Sequence, residues 1–376
     1  MNIQYKLSRI SVVAVSVALA IAPAIAQQTS QTKARVIATV KAGDFPDGVG
    51  INPRTHHVYV PNNSSNSVTV INELNNAAAT VRNAGGSFAN GITVNPTTNK
   101  IYVANSEGGN VLVIDGATNH TTTLTDPNGL FPLAIAADTE NNKIYVANYV
   151  SNNITVIDGA TNAISDVADP NGVGPRCIAV NSRTHKVYVG YDISGNVTVI
   201  DGRTNAITTV SDPNQVGPLA VDINPVTNKI YFANFSSSNV TVIDGATNET
   251  TTVKDVNSFN PVAVAVDTAA NKIYVANQFP ANVTVIDGAT NQPTTVTNSL
   301  ATQGQAIAVD VTAHKAYMAN FLSGNITVVD GATNAVTTVA DPKAISPYAV
   351  QVDPRTHRVF VANSGSQNVT VIAGAQ

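Results

Sequence analysis

The chain has 376 residues, of which 12% are charged and 43% are hydrophobic. A typical globular domain is about 25% charged, but the high hydrophobic share excludes disorder, and the abundance of Val and Thr favours an all-β protein over a helical one. The net charge of −4 gives no global basic surface for nucleic acid or anionic membranes, and the single cysteine, Cys177, excludes an internal disulfide framework and a cysteine-rich zinc site.

The first segment, residues 1–26, has the pattern of a secretory signal peptide. Two basic residues, Lys6 and Arg9, precede an apolar run over residues 10–22, which is too short to span a bilayer as a helix. Residues 24–26 read Ala-Ile-Ala and fit a cleavage site. The sequence therefore predicts an exported chain, periplasmic or secreted, with a short leader over residues 27–32 and no membrane insertion.

A repeat of 43 residues fills the remaining segment, residues 33–376. Its most regular position is an aromatic residue that recurs eight times at this interval: Tyr59, Tyr102, Tyr145, Tyr188, Tyr231, Tyr274, Tyr317 and Phe360. Regular self-similarity at this period is typical of repeat architectures. We therefore expect one repetitive domain over residues 33–376.

Each repeat contains four strand patterns joined by short turns. In one copy they cover residues 92–94, 100–104, 111–114 and 121–124. Four antiparallel strands in about 43 residues are typical of one β-propeller blade. The chain begins with a lone fourth strand at 35–40 and ends with a third strand at 368–372. The sequence thus predicts an eight-bladed propeller whose N-terminal strand completes the C-terminal blade, with a seven-bladed ring as the alternative.

The turn between the first and second strands contains a position that holds only Asn or His. Its occupants are His56, Asn99, Asn142, His185, Asn228, Asn271, His314 and His357. Asn and His are enriched among non-glycine residues at positive φ. This turn position is therefore predicted to be left-handed, which accounts for four of the six histidines by backbone conformation. Adjacent repeats carry His314, His357 and His56, but their expected spacing does not suit one metal ion.

The repeat resembles the YVTN family of β-propellers. The resemblance is carried by Tyr-Val-Ala-Asn at 102–105 and Val-Ile-Asp-Gly-Ala-Thr-Asn at 242–248, and it covers residues 33–376. It implies an exported or surface-associated bacterial propeller. Members are often seven-bladed, and the eight copies in this chain depart from that pattern.

Charged residues mark one face of the predicted ring, which carries the turns from first to second and from third to fourth strands. A cation opens the second strand in seven repeats and an Asp ends the third strand in six, so we expect Lys–Asp pairs there. Where the last repeat meets the first, Asn72 and Ala373 replace Asp. The predicted result is a basic patch that is either a solvated rim or a site for an anion or a partner. Its residues are Arg54, His57, Arg355 and Arg358.

The opposite face is expected to hold the mouth of the central channel, where the first strands begin. The residue that opens the first strand is the most variable position of the repeat. A ligand contacts each blade differently, so positions that bind it are expected to differ between repeats. Polar residues in a concave setting are a common binding pattern, although drift at a solvated rim gives similar variety. The candidate ligand-binding residues are Asp47, Asn90, Arg176, Gln305 and Tyr348, with Tyr149, Phe235 and Phe321 from neighbouring loops.

No nucleotide-binding loop, catalytic elbow or metal-binding motif is present in the sequence, so no cofactor, metal or catalytic residue is predicted. The leading hypothesis is a monomeric, non-enzymatic binding scaffold of the bacterial envelope, whose partner is an envelope protein, a glycan or a small molecule. The alternative is a propeller hydrolase or lyase of the lactonase type. A third hypothesis, nucleic-acid binding through exposed aromatic residues, is disfavoured by the acidic residues of the mouth face.

Overall fold

The structure is a computed structural model that describes residues 33–83 and 85–375. The predicted signal peptide and leader lie outside these residues. The described chain forms 32 strands in eight four-stranded antiparallel sheets, and it contains no helix long and apolar enough to cross a membrane. The prediction of an eight-bladed β-propeller is therefore confirmed, and the seven-bladed alternative is wrong.

The first four blades are each built from four consecutive strands. Blade 1 contains β2 (Gly50–Asn52), β3 (His57–Asn62), β4 (Ser67–Asn72) and β5 (Ala78–Arg82). Blade 2 contains β6 (Ala89–Asn95), β7 (Lys100–Asn105), β8 (Asn110–Asp115) and β9 (Thr121–Thr125). Blade 3 contains β10 (Pro132–Asp138), β11 (Lys143–Asn148), β12 (Asn153–Asp158) and β13 (Ile164–Ala168). Blade 4 contains β14 (Pro175–Asn181), β15 (Lys186–Tyr191), β16 (Val197–Asp201) and β17 (Ile207–Val210).

Blades 5 to 7 repeat this arrangement, and blade 8 draws its fourth strand from the other end of the chain. Blade 5 contains β18 (Pro218–Asn224), β19 (Lys229–Asn234), β20 (Asn239–Asp244) and β21 (Thr250–Val253). Blade 6 contains β22 (Phe259–Asp267), β23 (Lys272–Phe279), β24 (Asn282–Asp287) and β25 (Pro293–Thr297). Blade 7 contains β26 (Gly304–Asp310), β27 (Lys315–Asn320), β28 (Asn325–Asp330) and β29 (Val336–Ala340). Blade 8 contains β30 (Pro347–Asp353), β31 (Arg358–Asn363), β32 (Asn368–Ala373) and β1 (Arg35–Lys41).

The ring is closed by strand β1, which pairs antiparallel with β32 from Arg35 opposite Ala373 to Lys41 opposite Asn368. The predicted N-terminal latch is thus confirmed. Its register is displaced by two residues relative to the sequence repeat, because Val40 faces Val369 where the repeat would place Ala38. A shift of two residues keeps the side chains of residues 38–41 on their own faces of the sheet, and a β-bulge between Val36 and Ala38 reduces the shift to one residue at the start of the strand.

The core lies between successive blades. The aromatic residue of each second strand is fully buried, and each hydrophobic cluster joins two neighbouring blades; Tyr145 of blade 3, for example, clusters with Val187 of blade 4. The second and third strands are covered on both faces, which explains why their sequences are apolar without alternation. The first strands contact one another around the ring and so line its central channel.

The Asn/His turn position adopts positive φ in all eight blades, as predicted. The angles lie between 50° and 58° at His56, Asn99, Asn142, His185, Asn228, Asn271, His314 and His357. Each side chain has a further role that the backbone argument missed, because it points at the residue that ends the first strand of the preceding blade.

These contacts follow a strict pairing rule in seven of the eight seams between blades. Where the first strand ends in Asn, the next blade offers Asn, and the amides bond at 2.7–2.9 Å: Asn52–Asn99, Asn95–Asn142, Asn181–Asn228 and Asn224–Asn271. Where it ends in a buried Asp, the next blade offers His, and the Nδ1–Oδ2 distances are 2.7–2.8 Å: Asp138–His185, Asp267–His314 and Asp310–His357. The eighth seam, between blades 8 and 1, combines Asp353 with His56 and departs from this geometry.

The lysines that open the second strands also bridge neighbouring blades, instead of forming the expected Lys–Asp pairs. They donate to the carbonyl oxygen of a glycine in the next blade: Lys100 to Gly159, Lys143 to Gly202, Lys186 to Gly245, Lys229 to Gly288 and Lys272 to Gly331. Among the described residues Lys315 alone forms the salt bridge, with Asp330. The other turn aspartates accept backbone N–H groups of their own turn, as Asp115 does from Ala117 and Thr118. A backbone carbonyl is within reach of the long lysine side chain, and the carboxylate is satisfied locally.

Candidate functional site at the channel mouth

A cavity of about 550 Å³ opens on the face that carries the loops from the fourth to the first and from the second to the third strands, called here the mouth face. It is lined by Arg176, Asp192, Leu219, Phe235, Ser236, Val262, Gln278 and Gln305. These residues come from first strands near their starts, from the loops between second and third strands and, for Gln278, from the end of β23, in blades 4 to 7. The volume falls within the range of small-molecule sites.

Arg176 and Asp192 place opposite charges on one wall of this cavity. The guanidinium Nη1 lies 3.8 Å from the Asp192 Oδ2, and the two side chains are 40% and 27% exposed. An exposed pair at this separation is weak, at about 0–1 kcal/mol. The guanidinium therefore remains available to an anionic or carbonyl oxygen in the cavity.

Asp47 begins a hydrogen-bond chain that runs through three blades along the mouth. The Asn63 amide donates to Asp47 Oδ2 at 2.9 Å and to Asn90 Oδ1 at 3.3 Å. The Asn90 amide donates to the Ser106 hydroxyl, which donates to the Pro132 carbonyl at 2.7 Å. Asn90 is thus held by this network, and Asp47 keeps its Oδ1 buried without a partner.

The pKa values of Asp47 and Tyr348 are both raised. Burial raises the pKa of Asp47 to about 8, against the opposing effect of the hydrogen bond from Asn63. Burial and the negative charge of Asp47 raise the pKa of Tyr348, while the positive charge of Arg176 lowers it. Asp47, Tyr348 and Arg176 are therefore electrostatically connected across the mouth, and they offer a carboxyl, a phenol and a guanidinium.

Two aromatic residues support the Tyr348 ring. Its centroid lies 5.9 Å from that of Phe45 and 6.2 Å from that of Phe321, both in tilted or edge arrangements. Such contacts fix a ring in place. Phe321 therefore packs beside Tyr348, whereas Phe235 lines the cavity itself. Tyr149 lies apart from both and packs edge-on against Phe131 at 6.5 Å.

Ser236 and Gln278 of the cavity wall are not among the residues predicted from the sequence, and neither is Asp222. Asp222 lies in β18, on the wall of the channel, where it accepts the backbone N–H groups of Ile223 and Val266 at 2.8 Å each. Burial raises its pKa to about 6. Four sibling blades hold alanine at this position of the repeat, so the unusual carboxyl could have been found from the alignment of the repeats.

Asp47→Asn is expected to change the pH dependence of stability. The pKa of Asp47 is about 8 in the folded chain and near 4 in the unfolded chain, so the folded chain retains a proton that the unfolded chain releases between these values. Wild-type stability from this group is full below pH 4 and falls as the pH rises to 8. Thermal unfolding should therefore show Asp47→Asn more stable than wild type by about 5 kcal/mol at pH 8.5 and nearly equal to it at pH 4.5. Asp44→Asn, an exposed carboxyl in the same loop, is the control; an equal difference at both pH values would contradict the assignment.

The four basic residues predicted where the last repeat meets the first lie on the face opposite the mouth. Arg355 donates to the Pro53 carbonyl at 3.1 Å, and Arg358 donates to the Glu73 carbonyl. Arg54 and His57 lie in the adjoining turn and strand start of blade 1. This seam contains two buried carboxyl groups, Glu73 and Asp353, so its positive charge is not uncompensated as the sequence had suggested.

None of the family models and none of the curated proteins compared with this sequence matches it. Solved structures do match this chain. One is a streptogramin B lyase, with a TM-score of 0.61 and 11% identity over 77% of this chain and 93% of the other. Another is a catalytically inactive histidine-to-alanine variant of virginiamycin B lyase from Staphylococcus aureus with quinupristin, with a TM-score of 0.61 and 15% identity over 76% and 94%. At these identities the likeness shows the β-propeller fold.

The comparison corrects the leading functional hypothesis. The chain was expected to be a non-enzymatic scaffold because no catalytic motif is present in the sequence. Both of these structural neighbours are enzymes of the lyase class, so they favour the alternative of a propeller hydrolase or lyase. The error arose because a propeller brings together single residues from distant repeats, and such a site leaves no local motif.

Proposed function

We propose that this chain is a lyase that opens a lactone or cleaves an ester in the cavity of the mouth face. The observation that carries the proposal is that Arg176 lines the cavity and that the charges of Arg176 and Asp47 both act on the Tyr348 phenol at the mouth. The lyase names of two structural neighbours support the reaction class.

The residues offer the groups that such an elimination requires. A base removes a proton from the carbon next to the carbonyl, the carbon–oxygen bond breaks as a carbon–carbon double bond forms, and an acid protonates the leaving oxygen. Arg176 would stabilise the negative charge that develops on the carbonyl oxygen. The Asp47 carboxylate, which forms as the pH approaches its pKa of about 8, would accept the proton from carbon, and the Tyr348 hydroxyl would donate its proton to the leaving oxygen.

One neighbour is inactivated by loss of a histidine, but no described histidine lines this cavity. The six histidines lie instead at the turns and strand starts of the opposite face. A carboxyl and a phenol would therefore take the acid–base role in this chain.

The test is turnover of quinupristin and of a panel of lactones and esters, followed by mass spectrometry. An elimination opens a lactone without change of mass, whereas hydrolysis adds one water. Arg176→Leu should lower kcat/KM by about 100-fold or more, and the fold should persist because Leu133 and Leu219 occupy the same position in sibling blades. Tyr348→Phe, which keeps the ring contacts, should lower kcat.

Arg203→Ala is the matched control, since this arginine is exposed on a turn of the opposite face. Full activity of Arg176→Leu would exclude the mouth as the site. Products that carry an added water would assign the chain to the hydrolases instead.

The compartment and family are part of the same proposal. The signal-peptide pattern of residues 1–26 and the YVTN-like tetrapeptides support an exported bacterial enzyme. Fractionation of the native host with an antibody to the chain tests this directly; a cytoplasmic chain that retains residues 1–26 would contradict it.

A further inference from the structure

The seam between blades 8 and 1, called here the closure seam, contains a cluster found in no other seam of the described chain. One ligand atom from each of His56, Glu73 and Asp353 lies within 4.8 Å of the other two. Glu73 and Asp353 are fully buried, and three atoms of the cluster, His56 Nδ1, Glu73 Oε2 and Asp353 Oδ2, have no hydrogen-bond partner outside it. Buried polar atoms are normally satisfied, so three that converge on one point require an explanation.

The pairing rule of the other seams shows that this arrangement is not the ordinary Asp–His bond. At the seams of His185, His314 and His357, the imidazole Nδ1 bonds the aspartate directly at 2.7–2.8 Å. At the closure seam, His56 Nδ1 lies 3.5 Å from Glu73 Oε2, which is too long for a hydrogen bond. Asp353 Oδ2 is left without its histidine.

Glu73 is itself an exception to the repeat. The other seven blades have glycine at this position: Gly116, Gly159, Gly202, Gly245, Gly288, Gly331 and Gly374. A Cβ at Gly202 would lie 2.6 Å from the His185 carbonyl oxygen, so a side chain is sterically disfavoured there. The glutamate is accommodated at the one seam that joins the two ends of the ring.

The remaining carboxylate oxygens are held by neighbouring groups. Thr356 donates its hydroxyl to Glu73 Oε1, and the backbone N–H of Arg355 donates to Asp353 Oδ1 at 2.8 Å. These contacts orient Oε2 and Oδ2 towards His56, as outer-shell partners orient metal ligands. The His56 side chain is 34% exposed and gives a route from solvent.

We propose that His56, Glu73 and Asp353 bind one divalent transition-metal ion, best matched by Zn²⁺, which ties blade 1 to blade 8. Two ligands of a tetrahedral Zn²⁺ lie ~3.4 Å apart for ligand bonds of about 2.1 Å, close to the 3.5 Å between His56 Nδ1 and Glu73 Oε2. One imidazole and two carboxylates, with water in the fourth position, form an accepted zinc donor set, whereas Mg²⁺ and Ca²⁺ prefer oxygen ligands alone. The ion would balance two carboxylates that burial brings together.

The site is independent of the mouth, because it lies on the opposite face and shares no residue with the cavity. Its role is structural: the ion links the first and last repeats, in addition to strand β1 and the contacts of Arg355 and Arg358 with blade 1. Chelation should therefore weaken ring closure without removing a group from the mouth.

The experiment is calorimetric titration of ZnCl₂ into the EDTA-treated mature chain, with thermal unfolding as a second readout. We expect one Zn²⁺ per chain and a rise in Tm that reverses with EDTA. Glu73→Gly restores the residue of the seven sibling blades and should weaken Zn²⁺ binding at least about 100-fold while the fold is retained. His56→Asn, again a sibling residue, should do the same, and it keeps the test decisive if Glu73→Gly fails to fold.

The matched control is the double variant Asp267→Asn and His314→Asn, which converts an ordinary Asp–His seam to an Asn–Asn seam and should bind Zn²⁺ as wild type does. No binding by the wild-type chain would overturn the proposal. Equal binding by wild type and Glu73→Gly would also overturn it, as would tighter binding of Mg²⁺ or Ca²⁺ than of Zn²⁺.

Discussion

Deletion of residues 33–41 should lower the stability of the ring by about 5 kcal/mol or more, or roughly 10 °C in Tm. The deletion removes the pairing of β1 with β32 and the burial of Val40, and it breaks the Thr39–Asp341 hydrogen bond. It also exposes the edge of β32, an apolar strand that is then free to pair with other chains. Thermal unfolding and light scattering of the truncated chain measure both effects.

Two comparisons separate the latch from general effects of truncation. Val40→Asp should reproduce most of the loss, whereas Lys41→Asp, at an exposed position of the same strand, should not. A synthetic peptide of residues 33–42 should restore Tm to the truncated chain, and a scrambled peptide should not. Unchanged melting after the deletion would mean that the ring stays closed without the pairing of β1 with β32.

Replacement of His185 by valine should cost roughly 3 kcal/mol. The change leaves the fully buried Asp138 carboxylate without its Nδ1–H donor, and it places a β-branched residue at a φ of 58°. His185→Asn should cost less, because an amide can both donate to Asp138 and adopt positive φ. Chemical denaturation measures each free energy of unfolding.

The double variant Asp138→Asn and His185→Asn provides the sharper test. It reproduces the Asn–Asn pair of four sibling seams, so its stability should return to within about 1 kcal/mol of wild type. A cost for the double variant equal to the sum of two damaging single changes would show that the pairing rule is not transferable between blades. The measurement is a double-mutant cycle on one chain, with the other seams unchanged.

The architecture could be predicted because the same pattern of four strands recurs eight times in the sequence. The interval of 43 residues, the unmatched fourth strand at the start and the unmatched third strand at the end together determine the blade count and the latch. The two-residue displacement of β1 could not be predicted, since it depends on packing of Val40 against Val369 rather than on the repeat.

The contacts between blades were harder to predict, because they join residues from different repeats. The Asn/His alternation was explained by backbone conformation alone, although its partner, Asn or Asp, stands 47 residues earlier in the sequence and varies with it. A comparison of the two positions across all copies would have found the rule. The same comparison would have marked Glu73, the one non-glycine residue in its column.

The candidate site is the least predictable part, because its geometry depends on which blades face each other across the channel. Variation at the first-strand opening pointed to Arg176, Gln305 and Tyr348. The same variation could not show that Asp47 and Asn90 belong to a hydrogen-bonded chain instead of the cavity wall, because that distinction depends on the conformation of the loops. Asp192 comes from a loop whose course the repeat does not determine, and Gln278 lies in β23, at a position where the sibling second strands have already ended.

The pairing rule also determines which blades can be neighbours, because the two residues that meet at a seam have to match. Each blade contacts the preceding blade through its Asn/His turn residue and the next blade through the last residue of its first strand. These two residues are His and Asn in blades 1 and 4, Asn and Asn in blades 2 and 5, Asn and Asp in blades 3 and 6, and His and Asp in blades 7 and 8. The first six blades thus form two successive triplets with the same seam residues, as expected if a three-blade block had been duplicated. Duplication of a whole triplet keeps a matched residue pair at every seam. Insertion of a single blade keeps matched pairs only if its two seam residues suit both of its new neighbours.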